Sequence, residues 1–378
     1  MKFGLLGCAF ALTLGLAGPA SADIKIGASV SETGPASSLG DPEAKTLKLL
    51  VDEINAAGGV LGQKIKLFLY DDGGDPNKAR TFATRLVEDD EVVAIVGGST
   101  TGTTMSIISV AENAKIPFIS LAGAIEIIDP VKPFVFKTPH TDRMAGRKIF
   151  EDMKAKGYSK IALISGSDGF GASMRKQCLQ VIGEFGITVL AEETYGPNDA
   201  DMTPQLTNIR SKGEVQAILN PGFGQGPAIV TRNYGQLGIK TPLYQSHGVA
   251  SKSFIDLAGP ASEGVRLPGT AVLVANLLPA NDPQRAVVSA YTTAYQAKFN
   301  QPASTFGGYA HDGLRLLVDA IKRAGKAEPK AIRDALEGTK GFVGVTGTFN
   351  MAAGDHLGLD LSAFRMLEIK GGNWALVQ

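Results

Sequence analysis

Short apolar runs alternate with helical segments along most of this chain, and this alternation limits the fold more than any other feature. Residues 24–29 and 64–71 have the length and composition of strands, and helices are predicted to begin at residues 41–43 and 75–76. Because parallel strands must be joined by a crossover, which is usually a helix, repeated strand–helix units predict a doubly wound parallel α/β sheet.

A second set of strand–helix units follows the first without a low-complexity linker. The two sets divide near residues 138–141, residues 243–248 close the strand series, and a glycine-rich β-like tail is predicted at residues 341–378. The strands are too many and too regular for one small domain. We therefore expect two α/β lobes connected by a hinge of several strands.

The loop of residues 97–104, Gly-Gly-Ser-Thr-Thr-Gly-Thr-Thr, lies between a predicted strand at 92–96 and a helix predicted from Met105 to Asn113. Open α/β sheets bind ligands at the carboxyl ends of their strands. Two of its glycines have P-loop spacing, but Thr103 stands where a nucleotide site needs lysine. The loop therefore suits a small carboxylate at a helix N-terminus, and the alternative is an ordinary helix N-cap.

The first 22 residues have the features of a secretory signal peptide. Lys2 precedes an apolar run at residues 3–17, and small residues lead to a predicted cleavage after Ala22. A lipoprotein cleavage box ending at Cys8 is rejected because too few residues precede it. No later stretch is apolar for long enough to span a membrane. We therefore expect an exported, periplasmic protein.

Charge and cysteine content exclude two further classes. The 37 basic and 37 acidic residues give a formal net charge of zero, so nothing favours nucleic-acid binding. Cys178 is the one cysteine left after cleavage, so an internal disulfide is excluded and a buried thiol is favoured over a reactive one.

The sequence offers no catalytic or metal-binding motif. Its four histidines lack the spacing of zinc ligands, and no Gly-x-Ser-x-Gly motif supports a hydrolase nucleophile. Residues 222–227 have proline at the third glycine of the dinucleotide fingerprint, and residues 71–75 lack the glutamate that ends a calcium loop. We interpret residues 71–75 as a turn and helix cap, and we expect a protein that is not an enzyme and needs no cofactor or metal.

Two aromatic residues, Phe170 and Phe223, follow glycines at the ends of predicted strands, among small polar residues. Donors beside rings are typical of a cleft that binds an apolar body with one polar end. Core packing is the alternative for either ring.

The ordered loops resemble those of the exported solute-binding proteins of branched-chain amino acid ABC transporters, the Leu/Ile/Val-binding-like family. The motifs that carry the resemblance lie at residues 33–35, 39–41, 55–62, 70–76, 97–104, 170–171, 248–250 and 309–312. The resemblance implies a type I periplasmic binding protein fold, in which two doubly wound parallel-sheet lobes are joined by three crossing strands and close on a ligand.

The same resemblance implies the lobe boundaries and the partners. One lobe comprises residues 23–138 plus 268–344, and the other comprises residues 139–267 plus 345–378. The closed form of such a protein docks on an ABC transporter permease in the inner membrane, and these receptors are usually monomers.

Site residues follow from the resemblance position by position. Thr101 corresponds to the hydroxyl that binds the ligand carboxylate, within the loop that also holds Ser99 and Thr100. His247 stands where amino-acid binders place a glutamate on the ligand ammonium. The remaining positions are Leu39 at an aromatic wall, Ala122, Gly123 and Ala124 at a loop that binds through backbone and a threonine hydroxyl, and Phe170 and Phe223 at two tyrosine positions.

These departures from the family pattern predict a changed ligand. The glutamate, two tyrosine hydroxyls and the threonine hydroxyl at position 124 are all absent, so the cleft is more apolar and lacks its acid. We expect a small carboxylate without an α-ammonium, such as benzoate or a hydroxybenzoate, with His247 meeting a ring hydroxyl or, if protonated, the carboxylate. An aliphatic oxo acid is also compatible.

Two other functions stay open on the sequence. If Glu263 rather than His247 aligns with the missing glutamate, the ligand is a branched-chain or other hydrophobic amino acid. A ligand-sensing module for a membrane receptor has the same fold, while an exported enzyme has no residues in support.

Overall fold

The structure is a computed structural model that describes residues 22–377, so the predicted signal peptide lies outside the described residues apart from Ala22. The strands of the described chain are β1 (Ile24–Val30), β2 (Ile65–Asp71), β3 (Ala94–Gly97), β4 (Phe118–Ser120), β5 (Val135–Lys137), β6 (Lys160–Gly166), β7 (Thr188–Tyr195), β8 (Ala217–Asn220), β9 (Leu243–Gln245), β10 (Arg266–Gly269), β11 (Phe342–Val343), β12 (Thr348–Phe349), β13 (Arg365–Lys370) and β14 (Asn373–Leu376). The α-helices are α1 (Ser37–Ala56), α2 (Pro76–Glu88), α3 (Thr101–Ala114), α4 (Asp142–Ala155), α5 (Gly169–Val181), α6 (Thr203–Ser211), α7 (Gly226–Gln236), α8 (Lys252–Ala258), α9 (Arg285–Phe299), α10 (Thr305–Ala324) and α11 (Pro329–Glu337).

The first lobe is built on a five-stranded sheet in which every pairing is parallel. Its order is β2-β1-β3-β4-β5, so the chain winds outward in both directions from β1 and β3. Helices α1 and α10 cover one face, and α2 and α3 cover the other. With both faces covered, the central strand β3 is apolar and buried along its whole length, and the sequence predicts a buried strand there.

The second lobe is built on a seven-stranded sheet of order β14-β13-β10-β9-β8-β6-β7. Five strands run parallel; at one edge β13 pairs antiparallel with β10, and β14 pairs antiparallel with β13. Helices α4 and α5 cover one face, and α6, α7 and α8 cover the other. The predicted architecture of two α/β lobes with parallel sheets is therefore confirmed, with the predicted β-like tail supplying the antiparallel edge.

The chain passes between the lobes three times: after β5, after β10 and before β13. Between the second and third passages, α10 and α11 pack on the first sheet. The predicted lobe boundary between residues 267 and 268 falls inside β10, which pairs with β9 and β13 of the second sheet. The second passage contains the 3₁₀ segment Ala271–Leu277, which packs against β14 beside Trp374, the single tryptophan of the sequence.

Two helices begin earlier than the sequence predicts. Helix α1 begins at Ser37 rather than at residues 41–43, and Pro42 lies inside it. The helix begins without a side-chain N-cap. Its first turns pack closely on the loop that follows β1, since a Cβ at Gly40 would lie 2.2 Å from the backbone of Ser31. Helix α3 begins at Thr101 instead of Met105, because Thr100 and Thr103 form a reciprocal capping box.

Candidate ligand-binding site

A small cavity lies between the lobes, next to the carboxyl ends of strands from both sheets, and its volume is about 30 Å³. A volume of this size holds about one water molecule, so the lobes must part before a larger solute can enter. Its lining consists of Leu39, Ser99, Thr100, Thr101, Leu121, Gly123, Pro139, Phe170, Phe223, His247, Gly248, Phe306 and Tyr309.

All of the predicted site residues except Ala122 and Ala124 lie on this lining. The side chains of those two alanines are instead buried in the core between β4 and α3, and only the backbone between them, at Gly123, faces the cavity. The lining residues that the sequence did not predict are Leu121, Pro139, Gly248, Phe306 and Tyr309. Gly248 and Tyr309 belong to motifs that carried the family resemblance, which was the available signal for them.

The first lobe presents the N-terminus of α3 to the cavity. The hydroxyls of Thr100 and Thr103 form the hydrogen bonds of the capping box. Ser99 Oγ is also occupied: it accepts from Ser31 N at 2.8 Å and donates to Glu43 Oε2 at 2.5 Å. Thr101 Oγ1, by contrast, is buried and has no hydrogen-bond partner among residues 22–377. Both interpretations of this loop therefore apply: Thr100 is a helix cap, and Thr101 has a hydroxyl available to a ligand.

The loop after β4 adds backbone donors beside this hydroxyl. Two of its carbonyl groups are occupied, because Gly123 O accepts from Asp142 N at 3.0 Å and Ala124 O accepts from Lys137 Nζ at 3.1 Å. The N–H groups of Gly123 and Ala124 donate to no other atom of the described chain. A buried N–H usually has a partner, so an anion on this side of the cavity is favoured.

The second lobe presents aromatic rings. The rings of Phe170 and Phe223 meet edge to face with centroids 6.2 Å apart, and Phe170 meets His247 in the same way at 5.4 Å. Phe364, from the third passage, lies behind His247 at 5.4 Å. These rings form a wall that suits a flat apolar body.

The N-terminus of α5, in the second lobe, is already closed by its own acid. Asp168 accepts from Phe170 N at 2.9 Å and from Gly171 N at 3.0 Å. Since this carboxyl occupies the position that an anion would take, α3 and not α5 is the helix available to a ligand carboxylate.

His247 is neutral at physiological pH. Burial lowers its pKa to about 3, the charge of Lys137 acts in the same direction, and the nearby backbone of His140 has a smaller opposing effect. Its Nδ1 has no hydrogen-bond partner within residues 22–377. A neutral imidazole has one donor and one acceptor nitrogen, so His247 can hydrogen-bond a neutral polar group of a ligand, and a protonated His247 that pairs with a carboxylate is disfavoured.

The structure does not place an ionised acid on the cavity lining. Glu263, the predicted alternative, lies outside the cavity and is an exposed partner of the β13–β14 turn, accepting from Gly371 N at 2.9 Å. Glu43 lies behind Ser99, and burial raises its pKa well above the usual range, against the opposing hydrogen bond from Ser99. The alternative prediction, that Glu263 takes the place of the family's glutamate, is therefore not supported, because Glu263 lies too far from the cavity lining to meet a ligand ammonium.

The lobes touch directly across the cavity. A Cβ built on Gly123 would lie 2.8 Å from Phe170 Cε2 and 2.9 Å from His247 Nε2. Beside the cavity, Glu126 of the first lobe accepts from Ser173 Oγ at 2.5 Å and from Lys176 Nζ at 3.0 Å in the second. The conformation described here is therefore a closed one.

Residues 22–377 contain no group of three or more His, Cys, Asp or Glu residues placed to hold a metal ion. None of the helices in this part of the chain combines the length and apolarity of a membrane-spanning helix.

Known proteins match this chain in sequence and in fold. The sequence profile of a family described as "Periplasmic binding protein" matches residues 23–373. The leucine-, isoleucine-, valine-, threonine-, and alanine-binding protein of Pseudomonas aeruginosa is 27% identical over 320 residues, covering 83% of this chain and 82% of that protein. An extracellular ligand-binding receptor from Rhodopseudomonas palustris HaA2 has a crystal structure that is 30% identical, with a TM-score of 0.88, covering 94% of this chain and 100% of that chain.

A further solved structure shows the fold alone. The solute binding protein of an ABC transporter from Rhodopseudomonas palustris BisB5, in complex with 3,4-dihydroxy benzoic acid, is 20% identical, with a TM-score of 0.80. The match covers 94% of this chain and 96% of that chain.

Proposed function

The chain belongs to the periplasmic binding protein family, as a Leu/Ile/Val-binding-like solute-binding protein of an ABC transporter, and we propose that its ligand is a small aromatic carboxylate, a hydroxybenzoate in preference to benzoate. The family consists of binding proteins rather than enzymes, so the cleft is a site of capture and not of turnover. The observation that carries the ligand proposal is the pairing of a free donor set at α3 with a neutral histidine and an aromatic wall opposite it.

The carboxylate binds at the N-terminus of α3. Thr101 Oγ1 and the Gly123 N–H are donors without partners inside the described chain, and the positive end of a 14-residue helix favours an anion there. A hydrogen bond to a charged group contributes about 1.5–3 kcal/mol, so this contact fixes the orientation of the ligand.

The ring of the ligand lies between Phe170, Phe223 and Leu39, which line the cavity with apolar carbon. Aromatic pairs contribute about 0.5–1.5 kcal/mol beyond their burial. His247 Nδ1 accepts a hydrogen bond from a ring hydroxyl, which benzoate lacks. The preference for a hydroxybenzoate follows from this acceptor.

A hydrophobic amino acid is the second candidate, and the relatives favour it. The printed name of the Pseudomonas aeruginosa protein states that it binds leucine, isoleucine, valine, threonine and alanine. An α-ammonium in this cleft, however, would meet a neutral histidine, and burying a charge without a partner is costly. An aliphatic oxo acid avoids this cost, but its chain cannot form aromatic contacts with the rings of the second lobe.

We also propose the setting in which the receptor works. It is exported by the predicted signal peptide of residues 1–22, acts as a monomer in the periplasm and delivers its ligand to an inner-membrane permease. Residues 23–138 plus 268–344 and residues 139–267 plus 345–378 are the proposed lobes, which close about the three passages.

The proposal is tested by a thermal-shift screen followed by calorimetric titration of residues 23–378 at pH 7. We expect 4-hydroxybenzoate to raise the melting temperature more than benzoate does, and leucine, isoleucine and valine to leave it unchanged. Ligand at about a hundred times its Kd adds about 2.7 kcal/mol to the free energy of unfolding, which is readily detected. A shift with leucine or valine and none with aromatic acids would overturn the ligand assignment while leaving the receptor function intact.

A further inference from the structure

Lys137, the last residue of β5, is a lysine whose side chain is fully buried. Its Nζ donates to Ala124 O at 3.1 Å, and no carboxylate oxygen of residues 22–377 lies within the 4.0 Å of an ion pair. A buried ammonium with one neutral acceptor is costly, because nothing on the protein balances its charge directly. Such a group calls for an explanation beyond packing.

The ammonium lies directly behind the loop that faces the ligand cavity. It holds Ala124 O, and the adjacent Gly123 lines the cavity with its N–H unpaired. Its charge also acts on His247, a second lining residue, whose pKa it depresses. Lys137 itself does not line the cavity, so it can influence a bound anion through space but not touch it.

We infer that Lys137 supplies, from behind residues 121–124, the positive charge that balances the carboxylate of the ligand. This inference rests on the proposed function only in requiring a carboxylate at α3. Lys137 is a positioning and specificity residue: it favours anions over neutral analogues of the same shape. It explains how a cavity without a basic lining side chain, apart from a neutral histidine, accommodates a charged ligand.

Several other ionisable groups surround Lys137. Asp142, at the start of α4, attracts the ammonium, but its carboxyl already accepts from Ile125 N and Arg143 N and lies in contact with the Ser173 hydroxyl. His140 is buried and its pKa is held well below the usual range by burial, with His247, Lys137 and Arg365 acting in the same direction. The Glu126 carboxylate is paired with Lys176. None of these groups pairs directly with Lys137.

Burial lowers the pKa of Lys137 to about 7, against the opposing attraction of Asp142. An anion bound nearby favours the charged form and raises this pKa again. Binding above pH 7 therefore takes up a proton, and affinity falls as pH rises from 7 towards the higher pKa of the complex. A rise of about one pKa unit corresponds to about a tenfold tighter complex with the protonated form.

The experiment is a calorimetric titration of residues 23–378 with 4-hydroxybenzoate at pH 8, in phosphate and in Tris. These buffers differ in ionisation enthalpy, so we expect the observed enthalpies to differ by the uptake of a fraction of one proton. In Lys137→Met, checked for folding by circular dichroism, we expect this difference to vanish and the Kd at pH 7 to rise about fivefold, because about half of the free wild-type protein is already deprotonated at that pH. The wild-type preference for 4-hydroxybenzoate over the neutral 4-hydroxybenzamide should shrink by the same factor.

A matched control removes the same charge elsewhere. Lys154→Met, on the exposed last turn of α4, should leave the Kd and the proton uptake unchanged. If Lys137→Met does not fold, the buffer comparison on the wild-type protein decides alone. Equal enthalpies in the two buffers, or an unchanged Kd in folded Lys137→Met, would overturn the inference.

Failure of the ligand assignment gives a different result. If the wild-type protein binds no aromatic acid, the ligand proposal fails, and the same titrations are run with isoleucine, which also carries a carboxylate. Proton uptake that depends on Lys137 in that titration would retain the inference, and its absence would overturn the inference independently.

Discussion

The two lobes present the same structural feature to the cleft, a helix N-terminus after a parallel strand, yet they contribute opposite chemistry. In the first lobe, α3 is capped by the uncharged Thr100, and Thr101 keeps its hydroxyl free. In the second lobe, α5 is capped by Asp168, and Phe170, two residues later, contributes a ring. The residue at the cap thus decides whether a helix end binds an anion or supports an apolar wall.

The difference gives the ligand a direction. An anion is favoured on the first lobe and an apolar ring on the second, so a solute with one charged and one aromatic end makes good contacts only when it spans both. Because these contacts form on both lobes only when the cleft is closed, the bound ligand stabilises the closed form. Changes that act on one lobe should therefore affect binding more than they affect the folding of either lobe.

Gly123→Val should have the largest effect, because it separates the lobes. The added Cβ would lie 2.8 Å from Phe170 Cε2 and 2.9 Å from His247 Nε2, and both rings are buried. Overpacking of this kind costs about 3 kcal/mol, so we expect the Kd for 4-hydroxybenzoate to rise about 100-fold. The melting temperature without ligand should stay close to the wild-type value. Gly183→Val, where a Cβ meets nothing within 4 Å, is the control.

Thr101→Val tests the anion contact of the first lobe. The valine keeps the shape and removes the hydroxyl, so we expect the Kd to rise about 10- to 50-fold, the loss of one hydrogen bond to a charged group. Titration calorimetry measures it, with the exposed Ser109→Ala on the same helix as the control. An unchanged Kd in Thr101→Val would place the carboxylate elsewhere.

The neutral histidines of the cleft should make the protein sensitive to acid. The pKa of His247 is about 3 in the folded protein and 6.5 for an ordinary histidine, so between these values the unfolded chain binds more protons. Stability therefore falls as pH decreases from 6.5 towards 3, by up to about 1.4 kcal/mol per pH unit for each such histidine. In His247→Phe, denaturation across this range should show a slope smaller by about one proton. An identical slope would show that His247 is protonated in the folded protein.

Asp168→Asn should have the smallest effect and would weaken the contrast between the lobes. Asparagine still caps α5 but carries no charge, so the second lobe repels a bound anion less. A charge near a helix end is worth about 0.3–1 kcal/mol, which predicts carboxylate binding up to about fivefold tighter. Comparison of 4-hydroxybenzoate with 4-hydroxybenzamide isolates the charge effect, since the neutral compound should bind both proteins equally.

The regular parts of the fold are visible in the sequence, and the exceptions have identifiable causes. Periodicity located most helices and strands because their core faces are continuous, as on β1 and β3. It missed β10, whose four residues include Pro268 and Gly269, a pair that usually argues against a strand. It placed the start of α1 late, because the contact of Gly40 with Ser31 depends on tertiary structure.

The sequence predicts part of the site, because some of its residues follow visible local patterns and others depend on tertiary contacts. Its loop tips were visible as glycines, hydroxyls and rings after apolar runs, and most of the predicted residues do line one cavity. Phe306 and Leu121 were indistinguishable from core residues in the sequence. Lys137 was missed because a lysine at the end of a strand normally reaches solvent, whereas here both sides of β5 are covered.

The position of Trp374 makes intrinsic tryptophan fluorescence a probe of lobe movement in this protein. As the single indole of the chain, it packs beside Leu273 in the second of the three passages that connect the lobes. Its emission should therefore change colour or intensity with each opening and closing event. Capture and release of a solute could then be timed by stopped-flow fluorescence, without an attached dye and without any change to the cleft.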